Sequence, residues 1–167
     1  MEIKKTVHIN ATAAAVWKTL YENYGQACDW ASTVNESQLR KVSGSQHGGR
    51  TCSTSLGQVS EILDHVNEEK MELSYHVDDT PFIMKSAQAD WKVTPTAVNT
   101  SSVSMHMNME LATLPKILMG WMIKPKVRKD IDQTLEDLKF YVENGKQSEA
   151  KKKSDAKYFK KKGRKAA

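Results

Sequence analysis

The sequence predicts an α+β domain in which a curved antiparallel sheet of about seven strands wraps around a long C-terminal helix. Three observations carry this. Apolar residues recur at helical spacing late in the chain, at Leu114, Ile117, Leu118, Trp121, Met122, Val127, Ile131, Leu135, Leu138 and Val142. Before them comes a succession of period-two segments divided by turn signals at hairpin spacing. Before those lies a single short helical pattern near the N-terminus. Strands grouped together, with helices set apart, argue against a parallel βαβ sheet. An apolar stripe of that length needs a concave partner, and the space between helix and sheet is where a small molecule could sit.

The elements follow in order. Residues 3–9 alternate through Ile3, Lys5, Val7 and Ile9, with Lys5 the polar exception, and read as a strand. Asn10 is a turn or N-cap residue, and residues 11–24 read as a helix that buries Ala14, Val16, Trp17 and Leu20 and stops at Gly25. A short helical turn anchored by Trp30 is expected at 26–32. Residues 34–42 form a polar strand, and the composition of 43–49 makes it a loop. Strands are expected at 50–56, ending at Leu56, and at 59–66. The next places Met71, Leu73, Tyr75 and Val77 on one face and is broken at Pro81. The following one aligns Ala87, Ala89, Trp91 and Val93, and the last aligns Val103, Met105, Met107, Met109 and Leu111. Pro125 is expected to kink the final helix or divide it.

Length fits one domain, residues 1–145, followed by a basic tail at 146–167. The net charge of +5 conceals a division. The tail holds ten Lys and Arg against two acids, whereas residues 1–145 hold fifteen against eighteen. The excess positive charge therefore belongs to the tail and not to a binding face of the body. The tail carries too little apolar content to fold alone and is expected to be disordered. Its lysine clusters around Tyr158 and Phe159 could make weak, salt-sensitive contact with nucleic acid or an anionic membrane, or simply remain solvated. No secretory leader or membrane-spanning stretch is apparent, so a cytoplasmic location is expected. Cys28 and Cys52 are neither a disulfide framework nor metal-spaced, and read as free thiols.

Candidate chemistry is sparse. Glu61 shares a strand face with Val59 and Leu63, so it points where a carboxylate must be paired, hydrogen-bonded or protonated. Arg50 is a candidate counter-charge for Glu61 or for an acidic ligand, although a rim cation is the plainer reading. Tyr75, Trp91, Met105, Met107 and Met109 face inward, either as ordinary core or as the lining of an adaptable apolar pocket. Trp121 and Met122 could close its mouth. The histidines are scattered without ligand spacing, so neither metal nor cofactor is expected. Gly44, Gly48 and Gly49 match no phosphate loop and are expected at the cavity mouth.

The chain resembles the START-like, or SRPBCC, superfamily with its helix-grip fold, and its nearest flavour is the polyketide cyclase/dehydrase-like branch. The resemblance covers Ile3 to about Asn144. It rests on Val7-His8-Ile9-Asn10-Ala11 followed by Ala14-Ala15-Val16-Trp17, and on Gly49-Arg50 leading to Gly57 and then Glu61-Ile62-Leu63-Asp64. It also rests on Tyr75 ahead of a proline loop and Trp91, and on the terminal helix ending Leu138-Lys139-Phe140-Tyr141-Val142-Glu143. The resemblance implies a seven-stranded sheet around the last helix, a cavity between them, and an acid at Glu61 facing that cavity. It also implies binding or transport of a small hydrophobic molecule: a lipid, an isoprenoid or a polyketide-like compound. No catalytic residue is assigned in that reading. The alternative is a cyclase or aromatase on the same scaffold, for which Glu61 is the available acid/base. The fold hosts both classes, so the site has to decide.

Overall fold

The computed structural model describes residues 1–54, 57–80 and 84–166, with side chains throughout except at 114–120 and 165–166. Strand β1 (Glu2–Ile9) is followed by helix α1 (Ala13–Trp17), a π-helical turn (Lys18–Glu22) and a 3-10 helix (Tyr24–Asp29). Six strands come next: β2 (Val34–Arg40), β3 (Gly49–Thr54), β4 (Gly57–Asn67), β5 (Glu72–Asp78), β6 (Met84–Ala97) and β7 (Thr100–Leu111). Helices α2 (Thr113–Asn144) and α3 (Glu149–Ala166) complete the chain. The expected strand end at Leu56 and the break at Pro81 lie outside the described residues, as do the side chains of Leu114, Ile117 and Leu118.

The seven strands form one antiparallel sheet in the order β1-β7-β6-β5-β4-β3-β2. The first helical segment carries the chain from one edge of the sheet to the other, and the meander from β2 to β7 brings it back. Register places Tyr75 opposite Ala89, Trp91 opposite Met105, Ala89 opposite Met107 and Ala87 opposite Met109. Because side chains alternate, these pairs line one continuous inner face. Irregularities between Leu63 and His65 on β4, and between Val34 and Glu36 on β2, add local bend to the sheet. The C-terminal half of α2 crosses the inner face and buries Ile131, Leu135 and Leu138 there.

The N-terminal helix departs from its expected form. Thr12 caps it, accepting the Ala15 N–H on Oγ1 at 3.2 Å, while the Asn10 N–H is bound by Glu143 of α2 at 2.7 Å. Its buried side uses Ala13 rather than Ala14, with Val16, Trp17 and Leu20 as expected. Gly25 does not stop the helical run, which resumes in 3-10 form from Tyr24. A side chain at Gly25 would collide with Leu39 of β2, its Cβ falling 2.4 Å from Cγ. Close approach to the sheet, rather than helix termination, is what requires glycine there.

Helix α2 runs unbroken through Pro125. The missing N–H deprives the Trp121 carbonyl of its intrahelical donor, a loss that water can make good because this stretch of helix is exposed.

Residues 149–166, expected as a disordered tail, form α3 and pack against the edge strand β2. Gly145 ends α2 in the left-handed region at φ 64°, and Ser148 caps α3 through the Lys151 N–H. Lys151 is fully buried, and its Nζ reaches the Val34 carbonyl at 2.8 Å and Asp155 at 2.6 Å. Buried Asp137 of α2 accepts from the Ser32 N–H, from Gln133 and from the Ser148 hydroxyl. Asn35 donates to Ser154 and Asp155, and Glu36 receives Tyr158 and Lys162. Polar contacts hold this helix in place, which is why a reading based on apolar content missed it.

Candidate functional site

A cavity of about 200 Å³ lies between the inner face of the sheet and α2. Arg50, Glu61, Tyr75, Trp91, Met105, Met107 and Met109, all singled out from the sequence, lie in its lining. The walls are mainly apolar, with Leu20, Val59, Leu73, Val77 and Ala87 from the body and Val127 and Ile131 from α2.

Its polar end is a tight cluster. Gly49 lets β3 run close over β4, since a Cβ there would fall 2.2 Å from the Glu61 carbonyl oxygen. That approach sets Arg50 directly opposite Glu61. The Arg50 Nε donates to the carboxylate oxygen Glu61 Oε2 at 2.7 Å, and Nη2 is ion-paired with the same oxygen at 2.6 Å. Nη1 donates to the Tyr24 carbonyl at 2.8 Å, and the guanidinium lies 4.1 Å from the centre of the Tyr24 ring. The Tyr24 hydroxyl gives a second hydrogen bond to Oε2 at 3.1 Å. Among the described residues, no hydrogen bond is made by Glu61 Oε1.

Electrostatics fix the protonation of this group. Burial alone would lower the Arg50 pKa, but the adjacent Glu61 carboxylate outweighs it and holds the guanidinium charged far above neutrality. Burial pushes the Tyr24 hydroxyl well above its ordinary range, with Arg50 opposing and Glu61 reinforcing. Burial, with Glu61, also raises the Tyr75 hydroxyl. Both tyrosines are therefore proton donors at neutral pH, and neither is a base. Cys52, beneath the cluster, is pushed up to about 11 by burial and stays a thiol.

Tyr24 is the participant that sequence reasoning missed. It lies at the junction of two helical turns, and no spacing or motif ties it to Glu61 thirty-seven residues later. Trp30 was expected only as an anchor. It too lines the cavity, and its indole N–H is buried without a hydrogen-bond partner among the described residues. Asp130 of α2 is a further lining carboxylate, tied to Lys126 at 2.6 Å.

Two expectations fail at the mouth. Trp121 and Met122 are not in the lining, and are instead 76% and 51% exposed. Helix geometry accounts for it: Trp121 projects about a third of a turn away from the row of Val127 that faces the cavity. The glycine loop is also elsewhere. Residues 43–47 border a separate surface depression with Ile62, Asp64 and His76. Among the described residues, no group of three His, Cys, Asp or Glu side chains could hold a metal ion, and no helix is long and apolar enough to cross a membrane.

The family model for polyketide cyclase/dehydrase and lipid transport matches residues 1–143, so α3 begins beyond the matched region. No curated protein sequence matches the chain. Among solved structures, an aromatase/cyclase from Streptomyces sp. R1128 is similar at 13% identity and TM-score 0.71, covering 86% of this chain and 93% of its own. A START superfamily protein from Mycobacterium smegmatis is similar at 15% identity and TM-score 0.61, with 85% and 94% covered. Norcoclaurine synthase from Thalictrum flavum is similar at 10% identity and TM-score 0.62, with 86% and 94% covered. At these identities the likeness is one of fold.

Proposed function

The chain belongs to the polyketide cyclase/dehydrase and lipid transport family, and from that premise we propose that it binds a small hydrophobic molecule in the cavity beneath α2. The observation that carries this reading is the asymmetry of the cavity. Its walls are aromatic and methionine-rich, and its charged lining groups are already paired, Glu61 with Arg50 and Asp130 with Lys126. Arg50 spends its described donors on Glu61 and Tyr24, which gives an anionic head no open counter-charge. Glu61 Oε1 can accept from a hydroxyl or amine, and the Trp30 indole can donate to a ligand oxygen. A neutral isoprenoid, lipid or polyketide-like compound with a small polar end meets these terms. The volume, below the roughly 300–1,000 Å³ usual for ligand pockets, favours a compact molecule or the end of a longer one.

Native mass spectrometry of freshly purified protein, with organic extraction of bound material, tests the reading. A reproducible adduct lost on unfolding is expected, and Trp91→Ala is expected to weaken its retention. A bare mass from every preparation, with no uptake of added apolar compounds, would sink it.

The second reading is a cyclase or aromatase on the same scaffold. Glu61 favours it as a cavity carboxylate with one oxygen outside the cluster, and Tyr24 could donate a proton to a developing oxyanion. Loss of turnover in Glu61→Gln with ligand binding retained would establish it. The Arg50 contact holds the carboxylate against the wall, however, and that ranks binding first. A cytoplasmic location is consistent with both readings. The outer face of α3, with Lys153, Lys157, Lys160 and Arg164 exposed, supports an additional weak polyanion contact.

A further inference from the structure

Three of the four tryptophans are buried, and the fourth, Trp121, is 76% exposed on the N-terminal half of α2. Met122 beside it is 51% exposed. Lys124, Arg128 and Lys129 surround Trp121 along a shallow surface depression, and none of the three has an ion pair among the described residues. The acid on this face, Asp132, is engaged by Lys5 at 2.7 Å. About two to three turns further on, and a quarter to a third of a turn around the same helix, Val127 and Ile131 face the cavity.

We propose that this face of α2 docks on the surface of an anionic lipid bilayer, with Trp121 and Met122 entering the interface and Lys124, Arg128 and Lys129 meeting the headgroups. The chemistry selects this occupant. An indole with an apolar body and a polar N–H partitions to the headgroup boundary, and unpaired cations flanking it complement anionic lipid. Met122 adds apolar area that a phosphate backbone would leave in water. The α3 face makes a useful contrast. Its cations Lys153, Lys157, Lys160 and Arg164 form a stripe at helical spacing, and the exposed Phe159 stands more than a quarter of a turn off it, so the stripe itself suits polyanions rather than insertion. Docking through α2 would set the helix that roofs the cavity against the phase from which an apolar ligand comes. That purpose rests on the carrier reading above, whereas the docking itself does not.

The test is co-sedimentation of the full chain with phosphatidylcholine vesicles, with and without phosphatidylglycerol, in rising salt. Retention by phosphatidylglycerol vesicles that weakens with salt is expected, together with quenching of tryptophan emission by brominated acyl chains. Trp121→Ala is expected to lower partitioning about tenfold and abolish the quenching. Lys124→Gln and Arg128→Gln should each lower partitioning about fivefold. These side chains are exposed, so an unchanged circular dichroism spectrum is expected for each variant. The joint variant Lys153→Gln, Lys157→Gln, Lys160→Gln should behave as wild type. Absence of retention, retention indifferent to Trp121→Ala, or binding lost only in the α3 variant would each overturn the proposal, as would binding of oligonucleotides but not vesicles. No ligand is needed, so vesicle binding by a protein that takes up no apolar compound would defeat the carrier reading alone. A ligand-loaded protein that ignores vesicles would defeat docking alone.

Discussion

Two buried polar clusters in this molecule use the same chemistry to different ends. At the first, Arg50, Glu61 and Tyr24 converge on one carboxylate oxygen at the wall of a cavity. At the second, Asp137 receives the Ser32 N–H and the Gln133 and Ser148 side chains, while Lys151 bridges Val34 and Asp155 beneath α3. The second cluster is closed. Both Asp137 oxygens are occupied, Lys151 is fully buried, and neither residue lines the cavity beneath α2. It is a fastener. The first leaves Glu61 Oε1 without a described hydrogen bond in a lined space. A buried charge by itself therefore does not mark a site; unspent hydrogen-bonding capacity facing a cavity does.

Breaking each cluster should separate their roles. The largest effect is expected from Asp137→Ala, which strands three donors and removes the anchor between α2 and α3. A cost of about 4 kcal/mol is expected, with α3 amides losing protection in hydrogen exchange while the sheet retains its own. Arg50→Leu should cost about 3 kcal/mol in denaturant unfolding by leaving Glu61 buried without its counter-charge, and it should also disturb ligand uptake. Tyr24→Phe removes one of the two hydrogen bonds to Oε2 and should cost about 1 kcal/mol.

Acid should distinguish the α3 contact from the cavity cluster more gently. Hydrogen bonds from Lys162 and Tyr158 hold the Glu36 carboxyl below its ordinary range. A carboxylate lowered in the folded state contributes docking that is whole above the unfolded range and is lost as pH falls through the folded value. The C-terminal turns of α3 are therefore expected to loosen under acid conditions before the sheet does, as protease sensitivity at their lysines can report. The smallest effect concerns reactivity: the Cys52 thiol, pushed up to about 11, should alkylate far more slowly at neutral pH than an unfolded control.

What was legible in the sequence divides along the same line. Alternation exposed the inner face, because Ala87, Ala89, Trp91 and Val93 or Val103, Met105 and Met109 can share a face only in a strand. The opposition of Arg50 and Glu61 was within reach once both were read as neighbouring strands. Tyr24 was not, since a contact made by an irregular helical turn leaves no period. The α3 helix was missed because apolar content was the criterion, whereas Lys151, Ser154 and Asp155 hold it through hydrogen bonds. Trp121 and Met122 were assigned to the cavity from membership of one apolar stripe, although both are turned away from the Val127 row and stand exposed.

The most direct test of the cavity reading is a methyl NMR titration of the methionine-labelled protein with a neutral naphthol. Met105, Met107 and Met109 line the cavity and Met122 stands on the surface, so one spectrum reports both places. Saturable shifts at Met105, Met107 and Met109, with Met122 unmoved and affinity reduced in Glu61→Gln, are the predicted result. Shifts confined to Met122, or none at any concentration, would contradict the account.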